Sequence, residues 1–327
     1  MTMGAFLVRR SLQSALALFI VSLIVFVGVY GIGNPVELLV SPDATPEEVR
    51  RITGVLGLDR PMWEQYGLFI IGALHGDLGN SFVYNQPAIS LIIERLPATF
   101  ELAFSAMFVA ILVGIPLGLW AGLRPNSLAG RSIMAGSILG FSLPTFWVGL
   151  VLIMIFAVQL GWLPATGRGH TVGVFGIRLS VLTLDGLAHI ALPALNLALF
   201  KMALVIRLTR AGVREIMQMD YVKFARAQGL TEHRVIWVHV MKNILIPVVT
   251  VLGLELGSII AYSAVTESIF AWPGMGKLVI DAINILDRPI IVAYLMVVVL
   301  MFIVINLIVD VLYTVIDPRV RLTPAAA

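Results

Sequence analysis

An all-α, polytopic integral membrane protein with six transmembrane helices is the fold class that three observations predict. The first is composition: of 327 residues, 59% are hydrophobic and 13% are charged, whereas soluble domains carry about a quarter charged residues. So few charges cannot cover a water-facing surface, and lipid must solvate much of the chain. The second is the presence of six apolar runs long enough for a bilayer core, which takes about 20 helical residues to cross. The third is an uneven spread of Lys and Arg between alternate connecting segments.

The runs are Ser11 to Tyr30, Phe100 to Leu123, Met134 to Leu160, Leu187 to Ile206, Ile244 to Ser268 and Ile290 to Ile316. Charge, glycine or proline brackets each one. They lack the short apolar–polar alternation of a membrane barrel. The first follows Arg9 and Arg10 like a signal peptide, but it exceeds a usual apolar core and no small-residue cleavage site follows before Asn34 and Pro35, so a retained anchor is expected. Tyr66 to Leu74 is too short to span and is expected as an interfacial or packed helix.

With a cytoplasmic N-terminus, Arg9, Arg10, Arg124, Arg131, Arg319, Arg321 and the dense cluster from Arg207 to Lys242 all fall inside. The longer outer segments then hold only Arg50, Arg51, Arg60, Arg95, Arg168, Arg178, Lys277 and Arg288. Six spans return the C-terminus to the cytoplasm. The expected divisions are a first segment and span (1–30), an extracytoplasmic segment (31–99), a five-helix core (100–316) containing the basic loop 207–242, and a tail (317–327). The outer segment is too long for a plain connector. Pro46-Glu47-Glu48 opens a short helix within it, and Gly57 stops that helix.

The basic loop is the most informative stretch. Asp220 suits an N-cap, Gly229 suits a left-handed C-terminal stop, and a helix of about two turns fits between them. Thr231 suits the cap of the next helix, which leads into the fifth span. Spacing places Tyr221, Phe224, Ala225 and Gln228 on one side. Either a groove on another protein covers this aromatic pair, or the helix packs under the bundle.

Several small and polar residues lie in the spans. Gly114, Gly118 and Gly122, Gly136 and Gly140, and Gly253 and Gly257 recur four apart, a spacing that permits close helix approach. Contact within one bundle is the expected use. Pro116, Pro144, Pro193 and Pro247 are expected to bend their helices. Asn196, Lys201, Glu255, Asn306 and Asp310 lie in or near apolar runs, where polar groups face protein or water. Asn196 and Glu255 either line a translocation path or clamp helices together. The clamp is the expected use for Lys201, whose long stem can also snorkel, and for Asp310, which lies close to the cytoplasmic edge.

The absence of cysteine excludes disulfides and thiolate chemistry. No phosphate loop exists: Trp272 to Leu278 is the nearest approach, lacking the first glycine and the hydroxyl. The five histidines are scattered, and neither His-Glu-x-x-His nor Gly-x-Ser-x-Gly occurs, so an intramembrane enzyme is disfavoured. A secondary transporter would show internal repeats, and none is visible. No catalytic residue, metal, cofactor or nucleic-acid partner is expected.

Asp220-Tyr221-Val222-Lys223-Phe224-Ala225-Arg226-Ala227-Gln228-Gly229-Leu230, with Asn243 and Pro247, resembles the EAA loop of binding-protein-dependent ABC importer permeases, in the oligopeptide/dipeptide branch. Lys223, Phe224 and Ala225 stand where the general pattern has Glu-Ala-Ala, and Met241-Lys242 where it has Leu-Pro. The resemblance continues through Leu56 to Pro61, Gly76 to Ser81, Glu94 to Thr99, Ser142 to Trp147, Leu160 to Ala165, Glu267 to Gly276 and Asp317 to Arg319. It implies a type I ABC importer transmembrane fold in the bacterial inner membrane. The implied partners are a second homologous permease, two ABC ATPase subunits and an extracytoplasmic substrate-binding protein. It implies that Asp220, Tyr221, Phe224, Ala225, Arg226, Gln228 and Gly229 form the coupling helix seated on an ATPase. The substrates it implies are dipeptides or longer peptides, with glutathione-like peptides and nickel chelates as alternatives.

Overall fold

A computed structural model describes residues 3–30, 36, 40, 44–55 and 57–316. Those within Met1–Pro97 and Pro273–Val304 belong to one compact unit, and those within Ala98–Trp272 and Ile305–Arg321 to another.

In the first unit, α1 (Met3–Tyr30) is the apolar anchor. Helix α2 (Pro46–Val55) starts at the proline with Glu47 and Glu48 in its first turn, where carboxylates favour the positive helix end. Gly57 follows it at φ +66°. The short apolar run becomes α3 (Met62–Leu74), and it is packed rather than spanning. Its Tyr66 hydroxyl lies 2.9 Å from Ser22 Oγ, and the Phe26 ring meets Tyr66 edge-on at 5.2 Å. The Gly76-to-Ser81 motif forms a turn: Gly79, at φ +89°, donates its N–H to Asp77 Oδ1. Asp287 is buried and closes that turn, accepting from Ser81 Oγ at 2.5 Å and from the N–H groups of Phe82 and Val83.

The second span is much longer than its apolar run. Helix α4 (Ala88–Leu123) begins twelve residues before Phe100. The third run is not one straight helix. It forms α5 (Leu128–Ser142) and α6 (Thr145–Leu152), which continues through π-helical turns at Ile153–Gln159. The two halves meet at 106°. Leu143 and Pro144 both adopt extended backbone angles; proline pushes its predecessor out of the helical region and offers no N–H. By contrast, α4, α7 (Leu184–Ile216) and α10 (Met241–Ile269) run unbroken through Pro116, Pro193 and Pro247. Among the described residues, five helices are long and apolar enough to cross a membrane, and the bent pair makes six if counted as one span.

Between α6 and α7 a hairpin unannounced by the sequence pairs β1 (Val172–Val174) with β2 (Ile177–Leu179). A buried carboxylate holds it to α4. Glu101 accepts from Arg168 at 2.6 and 3.0 Å and from the backbone N–H groups of Ser180 and Val181 at 2.5 and 2.8 Å.

Helix α7 extends ten residues beyond Ile206, absorbing much of the basic loop. After α8 (Asp220–Ala227), the single turn α9 (Glu232–Arg234) passes through π-helical turns at Val235–Val240 into α10. The chain ends with α11 (Met275–Asn284) and α12 (Arg288–Ile316). The side chain of Asp310 and residues 317–319 lie outside the described residues.

The glycine seam of α4 packs within the chain. A methyl group added at Gly114 would meet Val205 at 2.8 Å, at Gly118 Thr209 at 2.7 Å, and at Gly122 Val213 at 2.6 Å. These close approaches set α4 directly on α7. Gly253 meets Val309 in the same way, while Gly136 faces open space. The stretches 98–99 and 267–272 are latched together by Thr99 Oγ1 donating to Glu267 Oε1 at 2.7 Å and Trp272 Nε1 donating to the Ala98 carbonyl at 2.9 Å.

Candidate functional site

Two places collect the residues the sequence singles out. The first is α8. Met219 occupies the N-cap position with extended backbone, and its carbonyl accepts from the N–H groups of Val222 and Lys223. Asp220 is therefore the first helical residue rather than the cap. Its exposed carboxylate makes no cap bond but pairs with Lys223 Nζ at 2.9 Å. That bond and charge hold the Asp220 carboxyl below its ordinary value. Thr231 also stands at a cap position, without a side-chain cap bond.

Gly229 stops the helix at φ +79°. Its N–H reaches the Arg226 carbonyl, and the Leu230 N–H reaches back to that of Ala225, a pattern that satisfies the last orphan carbonyls. The expected four-residue face is split. Val222 and Ala225 are buried, whereas Tyr221, Phe224 and Gln228 are exposed, Phe224 at 63%. Ala225 sits on the flank between the two faces and is covered by the chain itself.

Side chains fix the orientation of α8. Arg226 reaches both Glu232 carboxylate oxygens, at 2.7 and 3.1 Å. Asn243, in the first turn of α10, donates from Nδ2 to the Tyr221 hydroxyl at 3.1 Å and to the His239 carbonyl at 2.7 Å. One face of α8 is thereby held to its own chain, and the aromatic face points away.

The second place is a polar cluster between α7 and α10. Lys201 does not snorkel. It is buried, and its Nζ donates to Glu255 Oε2 at 2.5 Å and to Ser258 Oγ at 2.7 Å. Ser258 Oγ in turn donates to Glu255 Oε2 at 2.7 Å. The Glu255 side chain retains 29% exposure. Pairing compensates an ion that would otherwise be costly in lipid. Asn196 does not join this cluster. It is 1% exposed, and its Nδ2 donates to Thr266 Oγ1 at 2.9 Å. That bond clamps α7 to α10.

Ser258 and Thr266 were not singled out from sequence, because hydroxyl residues in an apolar run carry no distinguishing signal. Among the described residues, no group of three or more His, Asp or Glu side chains is placed to hold a metal ion.

Comparison with known proteins follows the same lines. Residues 114–322 match the family described as the binding-protein-dependent transport system inner membrane component, and residues 3–103 match the N-terminal model of such membrane components. The dipeptide transport system permease protein DppB of Escherichia coli K12 is 38% identical over 335 aligned residues, covering 97% of this chain and 98% of that protein. DppB of Alkalihalophilus pseudofirmus is 36% identical, covering 98% of this chain and 100% of that protein. The glutathione transport system permease protein GsiC of Escherichia coli O6:H1 is also 36% identical, covering 97% of this chain and 98% of that protein. Among solved structures, a chain of the inward-facing MetNI methionine ABC transporter superposes with a TM-score of 0.53 at 16% identity, covering 69% of this chain and 96% of that one; this likeness is one of fold. The chain belongs to the family of inner membrane components of binding-protein-dependent transport systems.

Proposed function

We propose that this chain is one permease subunit of an ATP-driven importer for peptides of the dipeptide type. It forms half of a transmembrane pathway with a second homologous permease, two ABC ATPase subunits dock on the cytoplasmic side, and an extracytoplasmic binding protein delivers the substrate. The names of the curated relatives support the substrate class, since glutathione is itself a small peptide. A glutathione-like substrate is therefore the second reading. Hydrolysis of ATP belongs to the partner subunits in this scheme, as the chain has no phosphate loop. Both termini and the 207–242 loop are cytoplasmic, in line with the Lys/Arg asymmetry.

The observation that carries the coupling role is the two-sided construction of α8. Its inner residues Val222 and Ala225 are buried and its outer Tyr221 and Phe224 are exposed, while Arg226–Glu232 ties it to α9 and Asn243–Tyr221 to the start of α10. A force on the aromatic face is passed to α10, which carries Glu255. Aromatic anchors seated in a partner pocket contribute about 2 kcal/mol or more, and that corresponds to roughly thirtyfold in affinity.

The test is Phe224→Ala in the purified assembly. ATPase association is expected to weaken roughly thirtyfold, with loss of uptake and of hydrolysis stimulated by the binding protein. Membrane insertion is expected to persist, since Phe224 lies outside the spans. Unchanged association would show that another surface carries the contact. Ala225→Asp also disrupts α8, but from within the chain, so it tests folding of the loop and not the docking face.

A further inference from the structure

The Lys201–Glu255–Ser258 cluster contains an unused acceptor. All bonds to the carboxylate go to Oε2, from Lys201 and Ser258. Among the described residues Glu255 Oε1 has no hydrogen-bond partner, and the side chain as a whole is 29% exposed. One carboxylate oxygen is thus held by a buried ammonium and a hydroxyl, while the other is left without a partner from the chain.

What it faces is set by helical spacing. Glu255, Ser258 and Tyr262 follow one another at i, i+3 and i+7 on α10 and share one side of the helix. Tyr262 is 76% exposed. Together they form a polar stripe about 10 Å long at 1.5 Å per residue, inside a span otherwise apolar enough to cross a membrane. A carboxylate within a membrane helix faces water, protein or substrate rather than hydrocarbon, and the phenol lies on the same side. The stripe has a donor-seeking oxygen at one end and an aromatic hydroxyl, able to donate or accept, at the other.

We propose that this stripe is a substrate contact: Glu255 Oε1 takes the α-ammonium group of a peptide in transit, and Ser258 and Tyr262 line its passage. Lys201 holds the carboxylate aimed, and its ammonium balances the charge when no peptide is present. The proposal rests on the peptide-import reading and deepens it. The permease itself then selects for a free amino terminus, in addition to whatever the binding protein selects.

The test uses the full assembly with its binding protein, reconstituted in nanodiscs, and a dipeptide as probe. The chain has no cysteine, so Tyr262→Cys supplies a thiol whose rate of modification by a water-soluble methanethiosulfonate is measured against the assembly lacking that substitution. Dipeptide together with ATP is expected to slow modification several-fold, and adding Glu255→Gln is expected to abolish that protection. With binding protein saturating, Glu255→Gln is expected to lower peptide carried per ATP hydrolysed on the order of tenfold, as fits loss of one charge-assisted hydrogen bond. Glu255→Asp is expected to restore part of it.

Protection that is indifferent to Glu255→Gln overturns the proposal, as does a Tyr262→Cys thiol that stays unreactive in every nucleotide state. An unsubstituted assembly whose ATP hydrolysis ignores dipeptide overturns the peptide reading, and the proposal with it. A responsive assembly with Glu255-independent protection overturns the proposal alone.

Discussion

Gly118→Ala isolates the contribution of close helix approach in this protein. A methyl group at Gly118 would lie 2.7 Å from Thr209 Cβ and 2.8 Å from the Ile206 carbonyl, both well inside van der Waals contact. The Ile206 carbonyl belongs to the backbone of α7 and has no rotamer to change, so the helices must separate. Overpacking of this kind costs about 1–3 kcal/mol. Alanine also stabilises a helix relative to glycine, by about 0.5–1 kcal/mol, which would blur a single measurement. Gly136→Ala supplies the correction, because Gly136 is helical too and nothing lies within 4 Å of the added methyl. The propensity gain is common to both variants and cancels in their difference. Gly118→Ala should therefore be less stable than Gly136→Ala by about 1–3 kcal/mol, read by reversible unfolding in mixed micelles titrated with dodecyl sulfate. Equal stability of the two variants would refute the claim that α4 sits directly on α7.

Arg168→Ala should leave the buried Glu101 carboxylate without its charged partner, a loss of about 3–5 kcal/mol, seen as faster proteolysis of the β1–β2 hairpin. Single cysteines at Ser127 and Gln218 should resist an impermeant thiol reagent in intact cells and one at Asn85 should react; labelling of Gln218→Cys from outside would overturn the assigned orientation. Asn243→Ala should remove the bond to the Tyr221 hydroxyl, worth about 0.5–1.5 kcal/mol, and lower uptake more than ATPase association; equal losses would count against α10 as the transmitting element. The Asp220 carboxyl is held low by Lys223, so its contribution to α8 is present at neutral pH and fades as pH falls through that lowered value. Asp220→Asn and the parent should thus differ in stability at pH 7 and converge in acid, as followed by thermal unfolding across that range.

The spans were legible because twenty apolar residues in a row have few alternatives. Their lengths were not. The N-terminal turns of α4 carry Glu94 and Arg95, and the last turns of α7 carry Arg207, Arg210 and Arg214, so hydropathy ends where the helix does not. In the loop, Gly229 was readable from the steric freedom that its left-handed conformation demands. The facing of Ala225 was not, since it lies on the border of two faces and its burial depends on how α8 packs against the π-helical turns at Val235–Val240. Lys201 concealed its partner for the same reason. Its counter-ion lies on a different helix, and a snorkelling lysine and a paired one look identical along the chain. The hairpin β1–β2 has strands of three residues, too short for any alternation to register.

The bend at Leu143 and Pro144 also bears on how the protein is made. As it leaves the ribosome, Met134 to Leu160 is one continuous apolar stretch, and an insertion machinery that weighs hydropathy would handle it as one straight segment. A right-angled break frees backbone carbonyls, and hydrocarbon offers them no partner. The bent form therefore gains its footing only when neighbouring helices have arrived: a side chain at Gly149 would strike Phe270 and Asn196, and both of those are synthesised later. The bend is thus expected to take its shape late in biogenesis, once α7 and α10 are in place.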